Sequence, residues 1–395
     1  MKKIGIITMR HGENYGNNLQ NYALQEAIKK LGFISETINN STKKGFNNKS
    51  DKRPKHKLRP SYIYRVIKTR INNKLLIKND NDGLIKSIFW YLRNKKRINS
   101  ARQKRKEAFF EFFSSHIDLS DFSISVDHID REKIDQYDYF VCGSDQIWNP
   151  YYPQTSKIDF LEFTETEKKI AYAPSFGVDN IPEDKKDYYA KWLNDIPYLS
   201  VREKQGAKII KELIGRDVPI LPDPTHLLNK EEWVKISKKP SIDNGEPFIL
   251  TYFLGNQTKV YKGYINTLAR ELNCKIINLA DIREFESYPV DPAEFIYLVN
   301  NAELVCTDSF HGTVMSLIMR TNFIVFTRVE EGHSMHSRIA TLLDKFKMQD
   351  RHFKIFEQNN TPIKMDFNMI DSIITYEQEK GYTHLRDALF DKAKS

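Results

Sequence analysis

Asp308, Ser309 and His311 stand between a short apolar run, Leu304 to Cys306, and a stretch with helical spacing from Gly312 to Arg320. A carboxylate, a hydroxyl and an imidazole at a strand-to-helix junction are suited to anion chemistry. The first amides of a helix lack intrahelical partners, and the helix dipole favours negative charge at that end. Ser309 is placed to cap the helix. His311 is placed to donate to a phosphate or carboxylate held by those amides, or to transfer a proton near neutral pH. The plain alternative makes Asp308 and Ser309 caps and His311 a satisfied core histidine.

Arg202, in "SVREKQG", directly follows a predicted strand. Its guanidinium fork suits a carboxylate or phosphate, against the ordinary alternative of an exposed pair with Glu203. "GSDQIWN" puts Gly143, Ser144, Asp145 and Gln146 at another strand end, with Trp148 and Asn149 close by. Polar groups beside an indole suit a sugar, although Gly-Ser-Asp is also common turn chemistry. The opening loop "HGENYGNNLQ" lacks the GxGxxG spacing of a dinucleotide site, but its Asn14, Asn17, Asn18 and Gln20, with Tyr15 among them, offer groups that recognise hydroxyls. Asp223 is placed to orient a catalytic group or to brace Arg202, and His226 reads as the end of a turn. His333 and His336 have no further ligands nearby, so no metal is expected.

Short apolar runs alternate with helical patterns along most of the chain. "KKIGIIT", a helix from Leu19 to Leu31 stopped by Gly32, and "FISETIN" open a βαβ unit. Strands at Tyr139 to Cys142, in "KKIAYAPSFG", at Tyr198 to Val201 and in "VPILPDPTHLL" continue the alternation, with a helix from Gln205 to Leu213. After a Pro-, Gly- and Asn-rich linker at Lys238 to Pro247, a second set runs from "FILTYFLG" to "NFIVFT". The expected fold is α/β, with two Rossmann-like domains facing a central cleft and a basic helical insertion. Residues 1–240 would form the first domain and 245–395 the second, the final helix packing back on the first. Polar clusters at the strand ends should converge, because ligands bind at the carboxyl ends of strands in open α/β sheets.

A chain of 395 residues, 40% hydrophobic, can bury two cores. No stretch reaches the roughly 18 to 20 apolar residues of a membrane span, so the protein is expected in the cytoplasm. Three widely spaced cysteines suggest neither a disulfide framework nor a zinc site. Charge is concentrated: Lys43 to Phe110 holds 22 Lys and Arg against 4 Asp and Glu, although the whole chain is only +9. That segment reads as a solvated helical insertion or as a surface for anionic lipid head groups. No nucleic-acid module accompanies it.

"NYGNNLQNYALQ", "VCGSDQIWNP", "YLSVREKQGAKII", "LPDPTHLL", "DPAEFIYLVNNAELVCTDSFHGTVMSLIM" and "SRIATLLDKF" occur in this order, and together they resemble the polysaccharide pyruvyl transferase family. The resemblance runs from Ile4 to about Phe346, without most of Lys43 to Phe110. It implies a fold similar to B-type glycosyltransferases and transfer of a pyruvyl group from phosphoenolpyruvate to a sugar. The product would be a ketal of a cell-surface polysaccharide or its lipid-linked precursor, with phosphate released. No metal or cofactor is implied beyond phosphoenolpyruvate as co-substrate. The family's donor-binding arginine falls on Arg202 and its "SFHG" histidine on His311.

On this reading His311, Asp308 and Asp145 are the catalytic candidates, and Arg202, Ser309, Phe310, His311, Gly312 and Thr313 hold the donor. Asn14, Tyr15, Asn17, Asn18, Gln20, Ser144, Gln146 and Trp148 face the acceptor, a sugar or lipid-linked oligosaccharide. Some relatives carry a basic residue where this chain has Ser309, and Arg328 or Arg338 could compensate. The basic segment, residues 43–110, could hold the enzyme peripherally at the inner face of an anionic membrane, and no nucleic acid is expected. The alternatives are a nucleotide-sugar glycosyltransferase and a non-catalytic glycan-binding or assembly protein.

Overall fold

The computed structural model describes residues 1–9, 12–42, 84–328 and 336–390. Residues 43–83 of the basic segment, and His333, lie outside them. Five parallel strands form the first sheet: β1 (Lys3–Ile7), β2 (Ile34–Asn40), β3 (Leu119–Ile124), β4 (Tyr139–Cys142) and β5 (Lys169–Ala171) in the order β3-β2-β1-β4-β5. Four more, β6 (Phe248–Tyr252), β7 (Lys275–Leu279), β8 (Leu304–Thr307) and β9 (Phe323–Val325), form a second parallel sheet in the order β7-β6-β8-β9. Central strands of such sheets are covered on both faces, and every residue of β4, β6 and β8 is buried. The chain reverses its direction of travel across the first sheet between β1 and β4, and across the second between β6 and β8. These switch points open crevices at the strands' carboxyl ends, where Gly143 to Asp145 and Asp308 to His311 follow.

Helix α1 (Tyr15–Lys30) starts at Asn14, whose side chain accepts from the Asn17 amide, and stops before Gly32, which takes φ +89. The strands expected at Tyr198 and Ile220 are reduced to single bridges, Ile170 to Tyr198 and Val201 to Ile220. Pro197, Pro219, Pro222 and Pro224 remove the donors a longer ladder needs. The next helices are α2 (Leu84–His116), α3 (Lys186–Asn194), α4 (Lys204–Ile214), α5 (Lys259–Glu271), α6 (Pro292–Asn301) and α7 (Phe310–Met319). They are followed by α8 (His336–Lys345) and α9 (Asn368–Phe390).

Part of the expected basic insertion proves to be core. Ile98, Ala101, Arg105, Phe109 and Phe112 recur at helical spacing on one face of α2 and are buried. Arg105 donates to the carbonyls of Tyr288 at 2.6 Å and Glu13 at 3.0 Å, so α2 ties the loop before α1 to the second half of the chain. Tyr15 completes the junction: its ring stacks on Phe295 at 4.5 Å and its hydroxyl donates to the Val290 carbonyl at 2.8 Å. The two halves therefore share an apolar floor.

Helix α9 returns from the second half onto the first. Its Lys380 donates to the Ile220 carbonyl at 2.7 Å and its Tyr382 to the Leu227 carbonyl at 3.0 Å, while Leu385 and Leu389 are buried. Among the described residues no helix is long and apolar enough to cross a membrane.

Candidate functional site

Two of the bridge-forming segments end at the charged centre of the molecule. Val201 and Ile220 pair in one bridge; Arg202 follows the first, and Asp223 lies beyond the second, capping the turn Pro224–Leu227 by accepting from Thr225 N at 3.1 Å. Arg202 Nη1 donates to Asp223 Oδ2 at 2.6 Å, and Nη2 donates to Asp145 Oδ1 at 3.2 Å. The remaining nitrogen, Nε, lies 4.0 Å from Glu203 and makes no hydrogen bond. Beneath the fork lies the ring of Phe310, 4.4 Å from the guanidinium carbon, a cation–π contact that crosses from the first half to the second.

His311 occupies the first turn of α7, because Ser309 is the N-cap and the helix begins at Phe310. Its Nε2 lies 3.4 Å from Asp223 Oδ2, close enough for ion pairing but without a completed hydrogen bond. Gly16 leaves room for the ring: a Cβ there would sit 2.0 Å from Nδ1. The start of α1 thus shapes the histidine pocket through a residue that has no side chain.

All these groups are nearly inaccessible to water, so their charges interact through a medium of low polarity. Burial alone would raise the Asp223 pKa, but His311 and Arg202 outweigh it and hold the carboxyl well below its ordinary range. Asp145 is shifted the same way: burial is overcome by Arg202, His311 and Arg338. It takes φ 66, so its carboxylate caps the Gln146 amide at 2.9 Å. Glu203 goes the other way, raised by burial, and accepts from Ser175 at 2.8 Å.

Arg338, on α8, is a member of this cluster that sequence reasoning named only as a compensating residue. It lies 3.6 Å from Asp145, and the Gln146 carboxamide oxygen, turned toward the guanidinium, accepts from its nitrogens at 2.8 and 3.2 Å. Burial, with repulsion from Arg202, lowers its pKa to about 10. A narrow cavity opens beside the cluster, bordered by Arg202, Asp223, His226, Phe310, Arg338 and Lys345. A buried arginine pair is invisible to motif spacing, since Arg338 is brought in by the packing of α8.

Several expected site residues serve other ends. The Asp308 carboxylate accepts from the Leu254 and Gly255 amides at 2.6 and 2.8 Å and lies 3.5 Å from Arg328 Nε, so it braces the loop after β6. Ser309 Oγ accepts from Gly312 N at 3.3 Å, and Thr313 donates to the Ser309 carbonyl at 3.0 Å. Ser309, Gly312 and Thr313 thereby build the helix start. Trp148 and Tyr15, expected to face the acceptor, are both fully buried, Trp148 stacking on Phe160 at 5.0 Å and donating to the Asp159 carbonyl.

The opening-loop amides are likewise turned inward. Asn14 caps α1, Asn18 donates to the Asn14 carbonyl at 2.8 Å, and Gln20 donates to Thr8 Oγ1 at 2.8 Å. Asn17 is buried beside them. Ser144 donates to the Ala173 carbonyl at 2.8 Å and to Asp223 at 3.1 Å, which makes it a support of the charged centre. Of the acceptor candidates, Ser144 and Gln146 therefore adjoin the cluster.

Three solved structures resemble the chain over nearly its whole length. One is a protein assigned as a UDP-N-acetylglucosamine 2-epimerase from Listeria monocytogenes, with TM-score 0.44, 11% identity, and 99% of this chain and 98% of that one covered. Another is the UDP-GlcNAc 2-epimerase from Neisseria meningitidis bound to UDP-GlcNAc, with TM-score 0.39, 9% identity, and 96% of this chain and 100% of that one covered. The third is the glycotransferase of kitacinnamycin, with TM-score 0.39, 10% identity, and 99% of this chain and 98% of that one covered. No curated protein matches the sequence. The family model for polysaccharide pyruvyl transferases matches residues 14–328, from the cap of α1 to the arginine beside Asp308. That span includes every strand after β1 and the residues that meet at Asp223, and the chain belongs to the polysaccharide pyruvyl transferase family, a family of transferase enzymes.

Proposed function

We propose that the enzyme transfers the pyruvyl group of phosphoenolpyruvate to a sugar of a cell-surface polysaccharide or its lipid-linked precursor, forming a ketal and releasing phosphate. The observation that carries this reading is the meeting of Arg202 and His311 on one buried carboxylate, Asp223, at 2.6 and 3.4 Å. One of these side chains comes from each half of the chain; Arg202 keeps its Nε without a hydrogen bond, and His311 Nε2 completes none with Asp223. A small molecule carrying both a carboxylate and a phosphate is suited to complete both.

Protonation of the donor's methylene carbon places positive charge on the adjacent carbon, and a sugar hydroxyl attacks there. A second hydroxyl then displaces phosphate and closes the ketal. His311, oriented by Asp223, contacts the phosphate and serves as general acid. Asp308 is committed to two amides, so the base role passes to Asp145. Its depressed pKa makes it a weak base, which suffices because a hydroxyl bonded to a cationic carbon is itself strongly acidic. Arg202 and Arg338 neutralise the donor's anionic groups in a site with little water. The reaction so written needs no metal.

The enzyme would work in the cytoplasm, on acceptors at the inner face of the membrane. Incubation with phosphoenolpyruvate and a panel of cell-envelope glycans should release phosphate and add a pyruvyl mass to one of them. His311→Ala, folded but inactive, is the expected companion result; wild-type turnover by that variant would remove the proposed roles.

A further inference from the structure

His226 is completely buried, and neither ring nitrogen completes a well-formed hydrogen bond, the Asp223 backbone carbonyl being at most a weak acceptor for it. Buried polar atoms are almost always paired, so an imidazole without a well-formed hydrogen bond needs an explanation. Its ring lies parallel to Phe346, with centroids 5.8 Å apart, and it borders the same cavity as Arg202, Arg338 and Lys345. Burial lowers its pKa to about 4 against a partly opposing pull from Asp223, while Lys345 and His311 lower it further. At neutral pH the ring that borders the cavity therefore carries one N–H donor and one lone pair.

The cavity is not a bare patch of positive charge. Lys345 is paired with Glu377, and Arg202 with Asp223 and Asp145. An occupant must offer acceptor atoms to His226 while drawing on Arg338, which is crowded by Arg202. A flat carboxylate meets those demands in a narrow space. A phosphate, with more oxygens to satisfy, is better served by the amides at the start of α7 and by His311.

We propose that His226 is a donor-binding residue whose ring N–H donates to the carboxylate of phosphoenolpyruvate, in the cavity beside Arg338, while the phosphate lies toward His311. This rests on the reading that the cavity holds phosphoenolpyruvate. The carboxylate stays with the pyruvyl group throughout the reaction, and a deeply buried neutral donor is suited to a group that never leaves. The phosphate departs, and it lies on the less buried side.

The test compares His226→Phe with His226→Gln, titrating the whole enzyme with phosphoenolpyruvate, pyruvate and inorganic phosphate and following melting temperature. A purely structural histidine predicts that Phe, which keeps the contact with Phe346, is harmless and that Gln is the damaging change. Carboxylate binding predicts the reverse order. Phe should weaken phosphoenolpyruvate and pyruvate about tenfold to hundredfold, leave inorganic phosphate within about twofold, and melt no lower than wild type, while Gln retains most binding.

Equal binding by wild type and Phe, selective loss of phosphate, or equal loss of all three ligands would overturn the assignment. If wild type binds none of the three, the proposed function falls with it; if wild type binds and Phe binds equally, only the role of His226 falls. Should His226→Phe not fold, the ring ¹⁵N signals of histidine-labelled wild type decide: pyruvate must move a buried neutral ring, and no movement overturns the proposal.

Discussion

Arg202 and His311 meet on a single atom, Asp223 Oδ2, at 2.6 and 3.4 Å, although they belong to different halves of the chain. One carboxylate thus sets the spacing of a guanidinium and an imidazole across the crevice. Removing its charge leaves the buried Arg202 guanidinium less compensated, with Asp145 its remaining hydrogen-bonded anion. Asp223→Asn should lower unfolding stability by about 3 kcal/mol or more and abolish turnover. Urea denaturation beside a phosphate-release assay checks both; a stable and active variant would show that the shared carboxylate is dispensable.

Gly16 offers a cleaner separation of function from stability. A methyl group at this position would stand 2.0 Å from His311 Nδ1, so the ring must move away from Asp223. Gly16→Ala should reduce turnover by at least about tenfold, as expected when a catalytic group is displaced by an ångström or so. Gly263→Ala, in α5 with nothing within 4 Å, is the control and should stabilise the helix by about 0.5–1 kcal/mol. Comparable activity of the two variants would disconnect α1 from the histidine.

Acid should draw stability from two buried histidines, against an opposing contribution from Asp159, whose pKa burial raises to about 7 so that the folded state takes up its proton first. His226 and His384 have folded pKa values lowered to about 4 by burial, against an ordinary value of 6.5. Between those values each of these rings binds more protons in the unfolded chain than in the folded one, so the histidines' contribution is full above about pH 6.5 and falls as pH drops toward 4. The loss is roughly 3 kcal/mol for each histidine over that interval. Asp223 and Asp145 have depressed pKa values, so their contribution is present above about pH 4 and is lost only at lower pH. His384→Phe should therefore show a smaller fall in melting temperature between pH 7.5 and 5.5 than wild type. An unchanged fall would mean that the two buried rings do not govern it.

The alternation of strands and helices was plain in the sequence because each segment carries its own periodicity: α1, β4, β6 and β8 appear where the pattern puts them. The charges at Asp145, Arg202, Asp223 and Asp308 were legible for the same reason, since each closes a buried apolar run, a strand before Asp145 and Asp308 and a single bridge before Arg202 and Asp223. The inward turn of Trp148 and of the opening-loop amides was not legible. An indole beside polar residues has the same local sequence whether it faces a sugar or the Phe160 ring, and only long-range packing decides. Arg338, named only as a compensating residue, and His226, read as the end of a turn, were given lesser roles for a related reason, as each enters the cavity through the docking of a neighbouring element.

Helix α2 carries the last prediction, because its outward face differs from the one it buries. Phe89, Leu92 and Phe110 are exposed together with Arg93, Lys95, Lys96 and Lys106, while Ile98, Arg105 and Phe109 point into the protein. Apolar rings among basic side chains are suited to an anionic lipid surface, each charge contributing about 1 kcal/mol near it. Changing Lys95, Lys96 and Lys106 to Glu should weaken binding to phosphatidylserine vesicles by at least about a hundredfold while turnover on a soluble acceptor stays near wild type. Deletion is a poorer tool here, because any cut that reaches Arg105 also removes its bonds to the Tyr288 and Glu13 carbonyls and loosens the junction of the two halves. If the triple variant and wild type cosediment equally with the vesicles, α2 has no part in membrane attachment.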